Sequence, residues 1–266
     1  MPFHVVIPAR YASTRLPGKP LLDIGGRPMI QRVVEQACAS GAARVVVATD
    51  DARIAAAVGD PRGRDRVAAA MTDATLPSGA DRVAAVAVEF GWDEDTVVVN
   101  LQGDEPFMPP TLIDQVADLL LGDESAGIAT LATPVRSLEE FLDPNVVKVV
   151  VADDGAALYF SRAPIPWTRQ DSPEGAAGQR EFGGAMRHVG LYAYRVGVLG
   201  RITRLPPSSL EQREKLEQLR ALQNGIRIVV GTCRVPPGAG VDTERDLQRA
   251  RERAASQRLQ PPGEIA

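Results

Sequence analysis

Short runs of β-branched residues recur along the first part of the chain, each followed by a segment whose apolar residues have helical spacing. "HVVI" (Val5 to Ile7), "RVVVAT" (Val45 to Thr49) and "TVVVN" (Val97 to Asn100) are apolar without alternation, as expected of strands covered on both faces. Between them, "PMIQRVVEQACAS" predicts an amphipathic helix with a proline near its start and Gly41 beyond its end. "SGADRVAAVAVEFG" predicts another, closed by Gly91. Strand and helix in this order predict an α/β fold of the Rossmann-like, doubly wound kind with a mostly parallel sheet.

The second half has a different texture. "NVVKVVVADDGAALYFSR" predicts two strands around the turn "DDG". "PIPW" is extended, Gln170 to Gly184 form a polar, Gly-rich loop, and "RHVGLYAYR" is a further strand. "SLEQREKLEQLRALQNG" predicts one helix, capped by Ser208 or Ser209 and stopped by Gly225. "IRIVVG" returns to the sheet, and a helix after "GVDT" closes the fold. The expected organisation is a single domain over 1–266. It has a smaller β-rich insertion at about 145–205 and a frayed tail at 257–266.

With 266 residues, 44% hydrophobic and 24% charged, the chain can bury a sizeable core. Its net charge of -4 argues against a nucleic-acid partner, which would call for a basic surface. Cys38 and Cys233 stand far apart and suggest a reducing compartment. The five-residue apolar run before Pro8 is too short for a signal peptide, and no stretch has the length of a membrane span. The expectation is a cytoplasmic protein without a membrane partner.

Against this acidic background, "IPARYASTRLPGKP" holds Arg10, Arg15 and Lys19 and no acidic residue. It leaves the C-terminal end of the first strand, where open α/β sheets bind ligands. Three cations there suit a polyanion such as a triphosphate. The stretch is neither a P-loop nor a dinucleotide fingerprint, because the required glycines are missing. The alternative is a solvated turn whose cations pair with surface carboxylates.

"VVVNLQGDEP" places Asp104 and Glu105 just past a strand end, a natural position for a Mg²⁺ ligand beside phosphates. In "GAGVDTERDL", Thr243 and Asp246 have the spacing of a helix-capping pair, which leaves Asp242 for another role. Basic loop and carboxylates together describe a triphosphate held by cations and Mg²⁺.

These stretches, with "VATDD", "SGADRV", "NVVKVV", "ALYFSRAPIPW", "RHVGLYAYR", "LEQLR" and "GVDTERDL", resemble the 3-deoxy-manno-octulosonate cytidylyltransferase family over roughly residues 3 to 255. The resemblance implies transfer of CMP from CTP to the anomeric hydroxyl of 3-deoxy-D-manno-octulosonate (Kdo), with release of pyrophosphate, for lipopolysaccharide synthesis. It implies Mg²⁺ on Asp104 and Asp242, with Arg15, Lys19, Asp104 and Asp242 as the catalytic set. Ala9, Arg10, Arg15, Lys19, Ser78, Arg82, Gln102 and Asp104 would serve the nucleotide. Arg162, His188, Tyr192, Glu211, Glu214 and Gln218 would face the sugar acid. A homodimer is implied too, with the insertion forming the sugar site and the dimer contact. "SGADRV" departs from the family by carrying Ala80 and Asp81 where Thr and Glu are usual. Rival expectations are a cytidylyltransferase for 8-amino-Kdo or a sialic acid, and a non-catalytic nucleotide-binding regulator.

On the residues alone, other roles stay open. Glu211, Glu214 and Gln218 have the spacing of a solvated helix face. One of Tyr192 and Tyr194 can be core, and Arg162 can be an interface residue.

Overall fold

The structure, a computed structural model, describes residues 2–12, 15–59, 66–169 and 180–259. In chain order its elements begin with β1 (Phe3–Ala9), α1 (Met29–Ala39), β2 (Arg44–Thr49), α2 (Ala52–Ala57), β3 (Val67–Met71), α3 (Gly79–Glu89), β4 (Val97–Asn100) and α4 (Pro110–Leu121). They continue with β5 (Ile128–Pro134), α5 (Leu138–Leu142), β6 (Lys148–Val151), β7 (Ala157–Ser161) and β8 (Met186–Arg195). The last are α6 (Val196–Arg204), α7 (Ser209–Glu214), α8 (Gln218–Gln223), β9 (Ile228–Thr232) and α9 (Glu244–Leu259).

The chain forms two compact units. A terminal unit takes Pro2–Trp92, Val98–Asp114 and the chain from Pro237 on, and a middle unit takes Asp93–Val97 and Gln115–Pro236. In the terminal unit the strand order is β3-β2-β1-β4. β1, β2 and β3 run parallel, with Ile7 opposite Val47 and Val47 opposite Ala69. The valines of the three predicted runs are buried, each contributing about 1.5–3 kcal/mol relative to exposure. The helix α1 buries Met29, Ile30, Val33, Val34 and Ala37, one continuous stripe at helical spacing. A separate cluster of Leu16, Ile24, Met29, Phe107, Val241, Leu247 and Ala250 ties the basic loop and α9 into the same unit.

In the middle unit β5 lies between β8, antiparallel to it, and β9, parallel to it. The hairpin of β6 and β7 turns at Asp153–Gly155, and β6 also pairs with β8. Gly155 takes a positive φ of 80° there, a backbone state that suits glycine. The fold is α/β and Rossmann-like, as the strand and helix order predicts.

One expectation needs correction. The segment from Ser208 to Gly225 is two helices, because Lys215 ends α7 in the left-handed region at φ 54°. Glu211, Glu214 and Gln218 therefore do not share one face of one helix. The helix α9 runs to Leu259, and the rest of the tail expected to fray, positions 260–266, lies outside the described residues. The Gly-rich loop lies outside them over 170–179. Its end is described, and Phe182 there packs on Val135, Phe141 and Ala185.

Candidate active site

The basic loop is fixed from below. Leu16 is buried in the cluster with α9, and Pro20 is buried in the 3-10 turn Lys19–Leu21. Gly18 precedes that turn with φ +65°, and a Cβ there would come within 3.2 Å of the Tyr11 ring. The turn aims the Lys19 ammonium at two carboxylates, 2.6 Å from Asp104 Oδ2 and 3.0 Å from Asp242 Oδ1. Arg15 Nη2 reaches Asp242 Oδ1 at 3.1 Å. Arg10 is exposed just past β1, and Ala9 is buried at the strand's end.

Backbone contacts explain why two carboxylates 138 positions apart (242 minus 104) meet. Val241 N donates to Asp104 O at 2.9 Å, which pins the segment before α9 to the loop after β4. Gly103 lets that loop lie on β1, since a Cβ at Gly103 would stand 2.8 Å from Pro8 O. The helix cap is made by Thr243 and Asp246, with Thr243 Oγ1 donating to Asp246 Oδ2 at 2.7 Å and Asp246 N donating to Thr243 Oγ1 at 3.2 Å. The Asp242 carboxylate is thereby left out of the cap, as the spacing predicts, and meets Arg15 and Lys19.

The remaining nucleotide candidates also lie in this unit. Ser78 caps α3, accepting from Asp81 N at 3.2 Å and donating to Asp81 Oδ2 at 2.6 Å. The departure at Asp81 thus has a local partner. Arg82 is only 3% exposed. Its Nη1 donates to Thr72 Oγ1 at 2.6 Å and its Nη2 to Asp50 Oδ2 at 2.8 Å, while Asp50 Oδ1 accepts Tyr11 N at 3.4 Å. Arg82 is therefore a buried strut that braces Asp50 and, through it, the start of the basic loop. Gln102 donates from Nε2 to Asn100 Oδ1 at 3.3 Å.

The sugar-acid candidates lie in the middle unit. Glu214 accepts Ser161 Oγ at 2.6 Å and Arg162 N at 3.0 Å, and its carbonyl accepts Arg162 Nε at 2.7 Å. Glu211 is buried, and both its carboxylate oxygens are held by Arg220 at 2.5 and 2.8 Å while Ser208 N donates at 3.0 Å. Burial works to raise the Glu211 pKa, but Arg220 and Ser208 outweigh it and hold the carboxyl below its ordinary value. Gln218 opens α8. On β8, His188 meets Phe160 edge-on at 5.1 Å and Tyr192 at 5.2 Å, and Tyr192 stacks on Tyr194 at 5.7 Å. Burial pushes both tyrosine pKa values up, and it pushes His188 down to about 3, so the imidazole is neutral. Tyr194 is core, whereas Tyr192 and His188 are half-buried.

Three residues of these networks escape a reading of the sequence. Asp50 carries no local signal, and neither does Thr130, whose Oγ1 lies 2.9 Å from His188 Nε2. Lys148 carries one, as a lone cation inside "NVVKVVV". Its ammonium is fully buried and donates to the carbonyls of Asp143, Val146 and Arg162 at 2.9, 2.5 and 2.9 Å. Three donors meet three acceptors, and burial draws the pKa below that of an ordinary lysine.

An α/β sheet with a cationic loop after its first strand and two convergent carboxylates beside it is the arrangement that suits a nucleotidyltransferase. The cytidylyltransferase family model matches residues 4–228. The 3-deoxy-manno-octulosonate cytidylyltransferase of Thioalkalivibrio sulfidiphilus (strain HL-EbGR7) is 53% identical over 249 residues, 94% of this chain and 97% of that protein. The enzyme of the same name from Xanthomonas euvesicatoria pv. vesicatoria is 54% identical over 258 residues, 96% of each chain. Among solved structures, a CMP:2-keto-3-deoxy-manno-octonic acid synthetase complexed with CTP superposes with TM-score 0.83 at 41% identity, covering 97% of this chain and 100% of that one. A Leptospira borgpetersenii cytidylyltransferase shares the fold with TM-score 0.60 at 16% identity, covering 96% of this chain and 87% of that one. The chain belongs to the 3-deoxy-manno-octulosonate cytidylyltransferase family.

Proposed function

We infer that the protein transfers CMP from CTP to the anomeric hydroxyl of Kdo. The hydroxyl oxygen bonds to the α-phosphorus, the bond from that phosphorus to the β-phosphate oxygen breaks, the hydroxyl proton is released, and pyrophosphate leaves. The carrying observation is the convergence of Lys19 on Asp104 and Asp242, with Arg15 on the same Asp242. Near full-length identity to relatives of that name supports the choice of substrates.

The donor set fits Mg²⁺. Asp104 and Asp242 offer hard oxygen ligands that both meet the Lys19 ammonium; with that ammonium drawn onto phosphate, the same oxygens would be left for Mg²⁺, which typically takes one or two carboxylates and completes its shell from substrate phosphates and water. Among the described residues no group of three or more His, Cys, Asp or Glu forms a self-sufficient metal cage. Bound there, the ion supplies charge neutralisation on the phosphates. Arg15 and Lys19 hold the β- and γ-phosphates and keep positive charge where the departing pyrophosphate gathers negative charge. Arg10, the Ala9 backbone, Ser78 and Gln102 orient the nucleotide, and Arg82 serves it through the Asp50 brace. Arg162, His188, Tyr192 and Gln218 take the sugar acid, with Glu211 and Glu214 holding their neighbours in place.

The hairpin of β6 and β7 is the proposed dimer contact. β7 pairs only with β6 among the described strands, and Leu158 on it is 61% exposed. No helix among the described residues is long and apolar enough to cross a membrane, and we place the reaction in the cytoplasm. The test is pyrophosphate release from CTP, Mg²⁺ and Kdo, run beside 8-amino-Kdo and a sialic acid. Faster turnover of either alternative would reassign the acceptor, and no release with any acid would leave a nucleotide-binding regulator.

A further inference from the structure

Thr130 is a fully buried polar residue at an irregularity of the middle sheet. β5 and β8 lose register after it: Thr130 faces Tyr192, but Leu131 faces Val189. The bulge on β8 brings three polar atoms to the Thr130 hydroxyl. Oγ1 lies 2.8 Å from Leu191 O, 3.2 Å from Val189 O and 2.9 Å from His188 Nε2.

A hydroxyl has one hydrogen to donate, and a carbonyl oxygen can only accept. The hydrogen therefore points at the nearer carbonyl, that of Leu191. If it pointed at His188 instead, two carbonyl oxygens would face the hydroxyl oxygen with no proton between them, in a place water cannot reach, and that arrangement is costly. What remains for His188 is to donate its Nε2 hydrogen to Oγ1. The ring is neutral and so has only one N–H, which leaves Nδ1 bare. Nδ1 makes no hydrogen bond within the described residues, and it is not among the buried polar atoms lacking a partner. Phe160 meets the ring edge-on and Tyr192 packs against it at a tilt.

We propose that Thr130 is a positioning residue that locks His188 as the Nε2–H tautomer, so that His188 presents Nδ1 as an acceptor for a hydroxyl of the sugar acid and not as a donor to its carboxylate. This rests on the reading of the protein as a sugar-acid cytidylyltransferase. An acid lacking that hydroxyl, or carrying it as a methyl ether, loses the bond. One carrying an amine in its place keeps it, since an amine also donates.

The chain has only two histidines, His4 and His188, so the imidazole nitrogens of ¹⁵N-histidine-labelled protein can be assigned with one His188→Gln control. In the unmodified protein, the long-range ¹H–¹⁵N spectrum should show His188 with a protonated Nε2 and a bare Nδ1. In Thr130→Val, which keeps the side-chain shape, Nδ1–H should gain population, and KM for Kdo should rise about tenfold with KM for CTP unchanged. Thr130→Ser should restore both readouts. A protonated Nδ1 in the unmodified protein overturns the proposal whatever the variants do, and so does an unchanged tautomer in a folded Thr130→Val. Failure of the unmodified protein to use Kdo would overturn the functional reading instead, because the spectrum reports the tautomer without turnover.

Discussion

The ammonium of Lys19 lies 2.6 Å from Oδ2 of Asp104, a carboxylate 85 positions later in the chain. Lys19 is the bridge in a group of four charges, since it also reaches Asp242, which Arg15 reaches from outside. The loop's cations Arg15 and Lys19 pair with two acids that follow distant elements, Asp104 and Asp242.

Lys19→Ala should lower turnover at saturating CTP by about two to three orders of magnitude, because it removes fixed positive charge from the departing phosphates. Lys19→Arg should not rescue it, since a planar fork cannot replace a compact ammonium between two carboxylates. Pyrophosphate release is the measurement, and near-full activity of Lys19→Ala would return the loop to the status of a surface turn.

Asp104→Asn and Asp242→Asn should each cut turnover by about two orders of magnitude or more. The double variant should be little worse than the poorer single one, because residues that act as one unit are not additive. A double-mutant cycle of steady-state rates with varied Mg²⁺ checks this. Independent, multiplying losses would mean that the two carboxylates do not serve one site.

Arg82→Ala should destabilise the fold as well as weaken nucleotide use. It would leave the Asp50 carboxylate largely buried without its guanidinium, and breaking a buried pair on one side costs about 3–5 kcal/mol. Removing both partners, as in Asp50→Leu with Arg82→Leu, should recover part of that loss. Urea unfolding of the single and double variants is the test, and a stable Arg82→Ala with only a raised KM for CTP would show that the strut is dispensable.

His188 should make folding acid-sensitive. Its pKa falls from 6.5 to about 3 on folding, mainly through burial, so between these values the unfolded chain binds the proton and the native state does not. The contribution is complete above 6.5 and is lost as pH falls toward about 3. His188→Gln should therefore lose less stability than the unmodified protein between neutral pH and about pH 4. Parallel profiles for the two proteins in urea titrations would contradict the burial of a neutral ring.

Much of the secondary structure was legible in the sequence because it follows from local sterics and periodicity. The valine runs became β1, β2 and β4, and the apolar stripe after Pro28 became α1. The turn at Gly155 closed its hairpin, and Thr243 with Asp246 capped α9. The residues of the candidate site were legible as types, three cations in one loop and acids after distant elements. What the sequence alone did not determine was whatever depends on partners far along the chain. The helix break at Lys215 has no glycine or proline to announce it. It goes with Glu214 turning to Ser161 and Arg162 while Leu216 enters the core. The roles of Arg82, Glu211, Lys148 and Thr130 are set by acceptors and donors that only the tertiary structure supplies. The meeting of Asp104 with Asp242 depends on a backbone bond from Val241 to Asp104 and on the missing side chain of Gly103. Periodicity is a property of neighbours in sequence, whereas the pairing of buried polar groups depends on which distant segments the fold brings within about 3 Å.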